Sequence, residues 1–196
     1  MDFKNYVISE AKDALAVLKF DKAKMAQIAA KPDATRNGII ILVVPAILNV
    51  FFASIGLPSG FSAIFSKLTT WPFLIPVLSF VGMAFGISFV ARKYFHGVGH
   101  DIGFFRVLSY ASIVSWVAIP VALLSMIGMV NLFDLFILIN LAVVVLVAAV
   151  SYHLLLDYHK VKKDDAIKII VIGVVGYFVI QWILGKIFVG NVYRYF

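Results

Sequence analysis

The sequence predicts an all-α fold, a polytopic membrane helical bundle with about five transmembrane helices and an N-terminal amphipathic helical segment. Three observations carry this expectation. First, 63% of the 196 residues are hydrophobic and 14% charged, against roughly 45–50% and 25% in soluble domains. Second, the apolar residues gather into long charge-free runs, and about 20 helical residues at 1.5 Å each match a hydrocarbon core of ~30 Å. Third, lysine and arginine fall mostly in the segments that alternate connections would place on one side. Too few polar residues remain to coat a soluble domain, so the apolar surface is expected to face lipid. Long runs with little alternation argue against a barrel.

The elements follow in order. Between Asp2 and Lys31 the residues Phe3, Val7, Leu15 and Leu18 recur at roughly helical spacing, with Lys4, Glu10, Lys12 and Asp13 among them, which predicts an amphipathic helix. Asp21 is placed to cap a second short helix carrying Met25 and Ile28, and Pro32 to end it. Residues 1–37 are therefore read as a cytosolic or interfacial segment, and 38–196 as the membrane domain. Its spans are expected at about 38–57, 71–91, 107–130, 135–156 and 166–189, with Lys168 and Lys186 near enough to the ends of the last to snorkel. Fewer crossings would leave an apolar run in water, and an extra one would bury charges at about 2.5–3.5 kcal/mol each.

With the amino terminus in the cytoplasm, Lys4, Lys12, Lys19, Lys22, Lys24, Lys31, Arg36, Arg92, Lys93, Arg106, Lys160, Lys162, Lys163 and Lys168 lie inside, and Lys67, Lys186 and Arg194 outside. That bias predicts a multi-pass protein of the cell (inner or plasma) membrane, with Phe196 outside. The formal charge of +7 is read as topology, and no nucleic-acid partner is expected. The first apolar run begins at Gly38 after a mixed-charge opening, so no cleaved signal peptide is expected. The absence of cysteine excludes a disulfide framework, a thiolate nucleophile and a cysteine metal site.

The sharpest chemical possibility is a metal or proton site formed by His96, His100 and Asp101 from one connection and His153, Asp157 and His159 from another. Imidazole and carboxylate suit zinc or iron, and His153 and Asp157 are one helical turn apart. His96, His100, His153 and Asp157 are the candidate ligands. Gly97 and Gly99 weigh against a helix presenting His96 with His100, and solvated interfacial side chains are the plainer reading.

Pro45, Pro76 and Pro120 fall inside spans, where each removes a backbone donor and can kink its helix. Gly82 and Gly86, then Ala111 and Ser115, give small-residue spacings suited to close helix packing. Asn49, Asn140 and Gln181 are the deepest amides and are expected to face other helices. Asp134 lies near the outer end of the fourth span, and Trp71, Trp182, Tyr193 and Tyr195 fit interfacial anchoring. No phosphate-binding loop or nucleophile elbow is present, so no catalytic or cofactor-binding residue and no cofactor is expected.

Several segments together resemble the Yip family of Ypt/Rab-interacting five-span proteins, in particular its small prokaryotic branch. Met25 to Pro32 is similar to the family's short amphipathic approach to the first span. Phe95 to Gly99, Phe105 to Ala111 and Pro120 resemble its glycine-containing loop running into a third span with tyrosine, small residues and proline. Asp157 to Val161, followed by Ala166, is similar to its last cytosolic turn. The resemblance implies a five-span membrane protein with a non-enzymatic scaffold, adaptor or membrane-organising role. Eukaryotic members are described as trafficking factors that contact Rab-type GTPases, but their acidic-Leu-x-Gly-Pro motif is absent here, so no GTPase-binding residue carries over. The expected partners are membrane lipids and a protein at the cytosolic face, the oligomeric state being open. The alternatives are a small transporter or channel with a polar path between proline-kinked helices, and a metal-dependent membrane enzyme.

Overall fold

The computed structural model describes residues 3–55, 74–126 and 133–188. The ends of the expected spans at 56–57, 71–73, 127–130 and 189, and Lys67, Trp71, Tyr193, Arg194 and Tyr195, lie outside these residues, as do the side chains of Asn49 and Asp134.

Every element is helical among the described residues. Helix α1 (Phe3–Leu18) and helix α2 (Lys22–Ala30) form a hairpin, followed by α3 (Ala34–Ile55) and α4 (Leu74–Phe95). The third span is α5 (Asp101–Ala111), a 3₁₀ segment (Ser112–Val117) and α6 (Ala118–Met126). Helices α7 (Phe133–Asp157) and α8 (Lys163–Phe188) complete the order. Four stretches, Leu74–Phe95, Asp101–Val121, Leu138–Asp157 and Lys163–Ile187, are long and apolar enough to cross a bilayer, and the shorter apolar stretch Ala34–Leu48 lies in α3. The chain is thus a helical membrane bundle.

Burial is uneven across it. In the third span 56% of the apolar window is buried, but in the last only 6%, so α5 is the central post and α8 a peripheral helix. Phe104, Val107, Leu108 and Tyr110 of α5 are fully buried, and α5 packs against α1, α2, α3, α4 and α7. The outward face of α8, including Val171, Val175, Phe178 and Ile183, is left for lipid. Helix α8 lies along α4, the most extensive helix pair in the bundle. There a Cβ added at Gly173 would meet the Ile87 side chain at 2.3 Å and one at Gly82 would meet Ile180 at 2.9 Å, whereas Gly86 has open space. Missing side chains let these two backbones approach.

Sequence-level signals account for the local breaks. The Asp21 side chain accepts a hydrogen bond from the Lys24 backbone N–H at 3.0 Å, capping α2, and Lys31 ends it just before Pro32. Pro45 leaves the Ile41 carbonyl without its helical donor, and Trp116 Nε1 donates to that carbonyl at 3.0 Å from the third span. Pro120 does the same to the carbonyl of Trp116, which lies inside the 3₁₀ segment. The Ser112 hydroxyl donates to the Ser109 carbonyl at 2.6 Å where the α-helix gives way. Gln181 differs from expectation: it donates to the Tyr177 hydroxyl at 3.0 Å one turn back on its own helix, which satisfies a donor with no neighbouring helix.

Candidate functional site

The polar side chains converge at one end of the bundle, where α1, α2, the start of α3, the α4–α5 connection and the α7–α8 connection meet. The third span begins at Asp101, so residues read as part of a polar connection, Arg106 among them, are helical and packed.

Two connections form a clasp. The backbone N–H of Val98 donates to the His159 carbonyl at 3.0 Å, and the N–H of His100 donates to the Tyr158 hydroxyl at 3.2 Å. Gly99 and Gly103 make the notch that receives Tyr158: an added Cβ would stand 2.7 Å from its ring at Gly99 and 2.1 Å from its hydroxyl at Gly103. His159 is wholly buried. The Ser88 hydroxyl donates to Asp101 at 2.6 Å and lies 3.1 Å from His159 Nε2. Because that hydroxyl has one proton, already given to Asp101, Nε2 carries the proton of the imidazole and Nδ1 is left as a buried acceptor with no partner among the described residues. Arg92 holds the other oxygen of Asp101 at 2.6 Å. Burial pushes the His159 imidazole down to about 4, with the Asp101 charge opposing and Arg92 and His100 adding to the effect. It is neutral at pH 7.

Serine, histidine and aspartate thus meet, but in an order unsuited to nucleophilic catalysis. In a hydrolytic triad the carboxylate orients the imidazole and the imidazole takes the serine proton. Here the carboxylate takes the serine proton itself, and the far side of the ring faces Gly97 and Gly99. The arrangement joins α4, α5 and the α7–α8 connection.

A second polar cluster latches the N-terminal hairpin onto α5. Glu10 accepts from Lys31 Nζ at 2.9 Å and from the Tyr110 hydroxyl, while Asp13 pairs with Lys24 at 2.8 Å. The Tyr6 hydroxyl donates to Asn37 Oδ1 at the start of α3, and Arg106 donates to Thr35 Oγ1 and the Ala29 carbonyl, each at 2.8 Å. Burial alone would raise the Glu10 carboxyl, but hydrogen bonds from Lys31 and Tyr110 outweigh it and hold it below its ordinary value. Lys31 is raised in turn by its bond to Glu10, against burial.

The consequence for α1 is that its acidic residues face inward, beside the fully buried Ala14 and Val17, while its lysines face outward. Asp13 is 7% exposed, while Val7 is 47% and Leu15 54% exposed. An apolar stripe of Val7, Ile8 and Leu15 therefore faces outward beside exposed Lys4, Lys12 and Lys19.

The four candidate ligands do not gather in one place. His96 is exposed in a left-handed backbone conformation, φ 55°, and His100 is exposed at the N-cap of α5. The His153 ring lies 4.6 Å from that of Phe20, and Asp157 pairs with Lys22 at 3.0 Å, so both face the α1–α2 turn. Among the described residues no three His, Asp or Glu side chains gather to hold a metal ion. The connections do meet, through His159 and Asp101. Ser88, Tyr158 and the Glu10–Tyr110 pair escaped sequence reading, since neither serine nor tyrosine in an apolar run signals a partner 71 or 100 residues away.

The profile of the Yip1 domain matches residues 15–185, most of the chain, and the chain belongs to this family. Searches among curated proteins and among solved structures returned no match.

Proposed function

We propose that this member of the Yip1 domain family is a non-enzymatic membrane scaffold whose basic end is a rigid platform on the cytoplasmic surface of the cell membrane. The supporting observation is how α1 sorts its charges: its acidic residues are spent on internal ion pairs, while its lysines and the apolar Val7, Ile8 and Leu15 remain outside. Lysines flanking Val7, Ile8 and Leu15 suit a helix lying among anionic headgroups. Fourteen lysines and arginines belong to this end, which under the positive-inside bias is cytoplasmic. Tyr94 and Val98, 62% and 68% exposed beside Lys93, extend the same surface and offer it to a protein partner.

The chain contains no cysteine, so a single Leu15→Cys label reports cleanly. In nanodiscs, an environment-sensitive fluorophore there should shift to the blue as phosphatidylglycerol replaces phosphatidylcholine, and return with salt. A water-like spectrum in both lipids sinks the platform reading. A tag after Phe196 that is reached from the cytosol in intact cells sinks the orientation.

Transport is a second reading, favoured by the pocket between Pro45 and Pro76. It requires solute flux in proteoliposomes, and an electrically and chemically tight vesicle removes it.

A further inference from the structure

All five spans contribute to one pocket of about 140 Å³, whose lining includes Pro45, Pro76, Ser112, Ser115, Asn140 and Tyr177. Its origin lies in the helix break. Helix α5 packs against α4, but beyond Ser112 the third span leans on α3 and α7, leaving space beside Pro76 and Phe80. Ser112 stands 11 residues into the third span and Tyr177 14 residues into α8, about 16–21 Å from the basic end at 1.5 Å per residue. The pocket is therefore near the middle of a hydrocarbon core ~30 Å thick.

Its chemistry narrows what it can hold. Among the described residues no charged side chain lines it, and an ion would be desolvated against that lining without compensation. The Tyr177 hydroxyl accepts from Gln181, which leaves its own proton to donate. The Ser112 hydroxyl donates to the Ser109 carbonyl, which leaves its oxygen to accept. A ligand hydroxyl, both donor and acceptor, answers both, while a carbonyl answers only one. The volume is close to that of an engineered cavity of about 150 Å³ that takes benzene, room for about six heavy atoms. Pro76 and Asn140 are exposed at the rim, so the pocket opens sideways.

We infer that this pocket binds the hydroxylated head of an uncharged amphiphile drawn from the bilayer, of the mono- or diacylglycerol type. The glycerol moiety fills the space and the acyl chains stay in lipid. The inference does not depend on the basic platform and would survive its failure.

The test uses the full chain in nanodiscs with a diacylglycerol bearing a diazirine next to its glycerol. Adducts should concentrate near Pro45 and Asn140 and fall when unlabelled mono-oleoylglycerol is added, but not with oleate, which carries a charge. Tyr177→Phe keeps the volume and removes the donor; it should weaken retention about 2- to 10-fold, the range of one hydrogen bond. Ala46→Phe fills the space and should abolish competable labelling, whereas Val175→Phe on the outward face of α8 should leave it unchanged. Labelling spread evenly over lipid-facing residues such as Val175 and Trp182, with no competition, overturns the inference. So does undiminished labelling in both pocket variants at unchanged melting temperature, which would leave the pocket to water.

Discussion

The basic end and the α4–α8 seam are joined by opposite means. At the basic end, segments far apart in sequence are held by directional bonds among charged and polar groups: Glu10 with Lys31 and Tyr110, and Asp101 with Ser88 and Arg92. Along the seam, Gly82 and Gly173 let Ile180 and Ile87 into contact with no polar group involved. The difference follows the solvent. Where water is near, apolar contact and paired charges both discriminate between packed and open states; within lipid, apolar transfer gains nothing, and close packing is what remains. The two regions should therefore respond to different perturbations.

The largest expected effect separates them by pH. His159 titrates at about 4 in the folded protein and near 6.5 when exposed, so the open state binds more protons between those values and stability falls as pH drops through this window. At about 1.4 kcal/mol per pKa unit, the loss is on the order of 3 kcal/mol. Protection factors of residues 97–103 and 157–161, taken relative to the intrinsic exchange rate at each pH, should fall from pH 6.5 to 4, while those of the seam hold. His159→Asn should flatten that dependence; equal loss of protection in the seam would erase the contrast.

Next is Glu10→Ala, which leaves Lys31 and Tyr110 without their partner in a half-buried setting. A cost of about 2–3 kcal/mol is expected, read as a lower melting temperature and faster proteolysis between α1 and α3. The Glu10 carboxyl is held low in the fold, so its contribution is complete above its ordinary value and is lost as pH falls through the lowered one. Wild-type and Glu10→Ala curves should accordingly converge in acid.

Gly173→Ala sharpens the other side. The new Cβ would sit 2.3 Å from Ile87, an overpacking expected to cost about 1–3 kcal/mol, partly offset by up to ~1 kcal/mol of helix propensity. Ile87→Ala should rescue it, and neither pH nor salt should alter the difference. A salt-sensitive Gly173→Ala would blur the distinction between the regions. The smallest effect belongs to Lys22→Ala, whose pair with Asp157 is exposed on the lysine side; about 0–1 kcal/mol is expected, fading in high salt.

Some of the architecture was legible residue by residue. Asp21 and Pro32 bound α2 as capping chemistry requires, and Pro120 marks the disturbed third span. The candidate site was half legible. Histidines and acids in two connections pointed to a meeting place, yet the meeting is made by His159, Asp101 and Ser88, while His153 lies tilted against Phe20. Helical spacing alone marked an apolar stripe on α1 but not which side faced the bundle. That side was settled by Lys24, Lys31, Asn37 and Tyr110, which offer partners to Asp13, Glu10 and Tyr6.

By itself the sequence determined the membrane character and the gathering of lysine and arginine in alternate connections, because length, hydropathy and lysine position are properties of each segment against its solvent. Only the tertiary structure decided that His159 is buried, that α1 turns its acids inward, and that a pocket opens beyond Ser112. Each of these depends on which distant groups share a few ångströms, and no local periodicity encodes that.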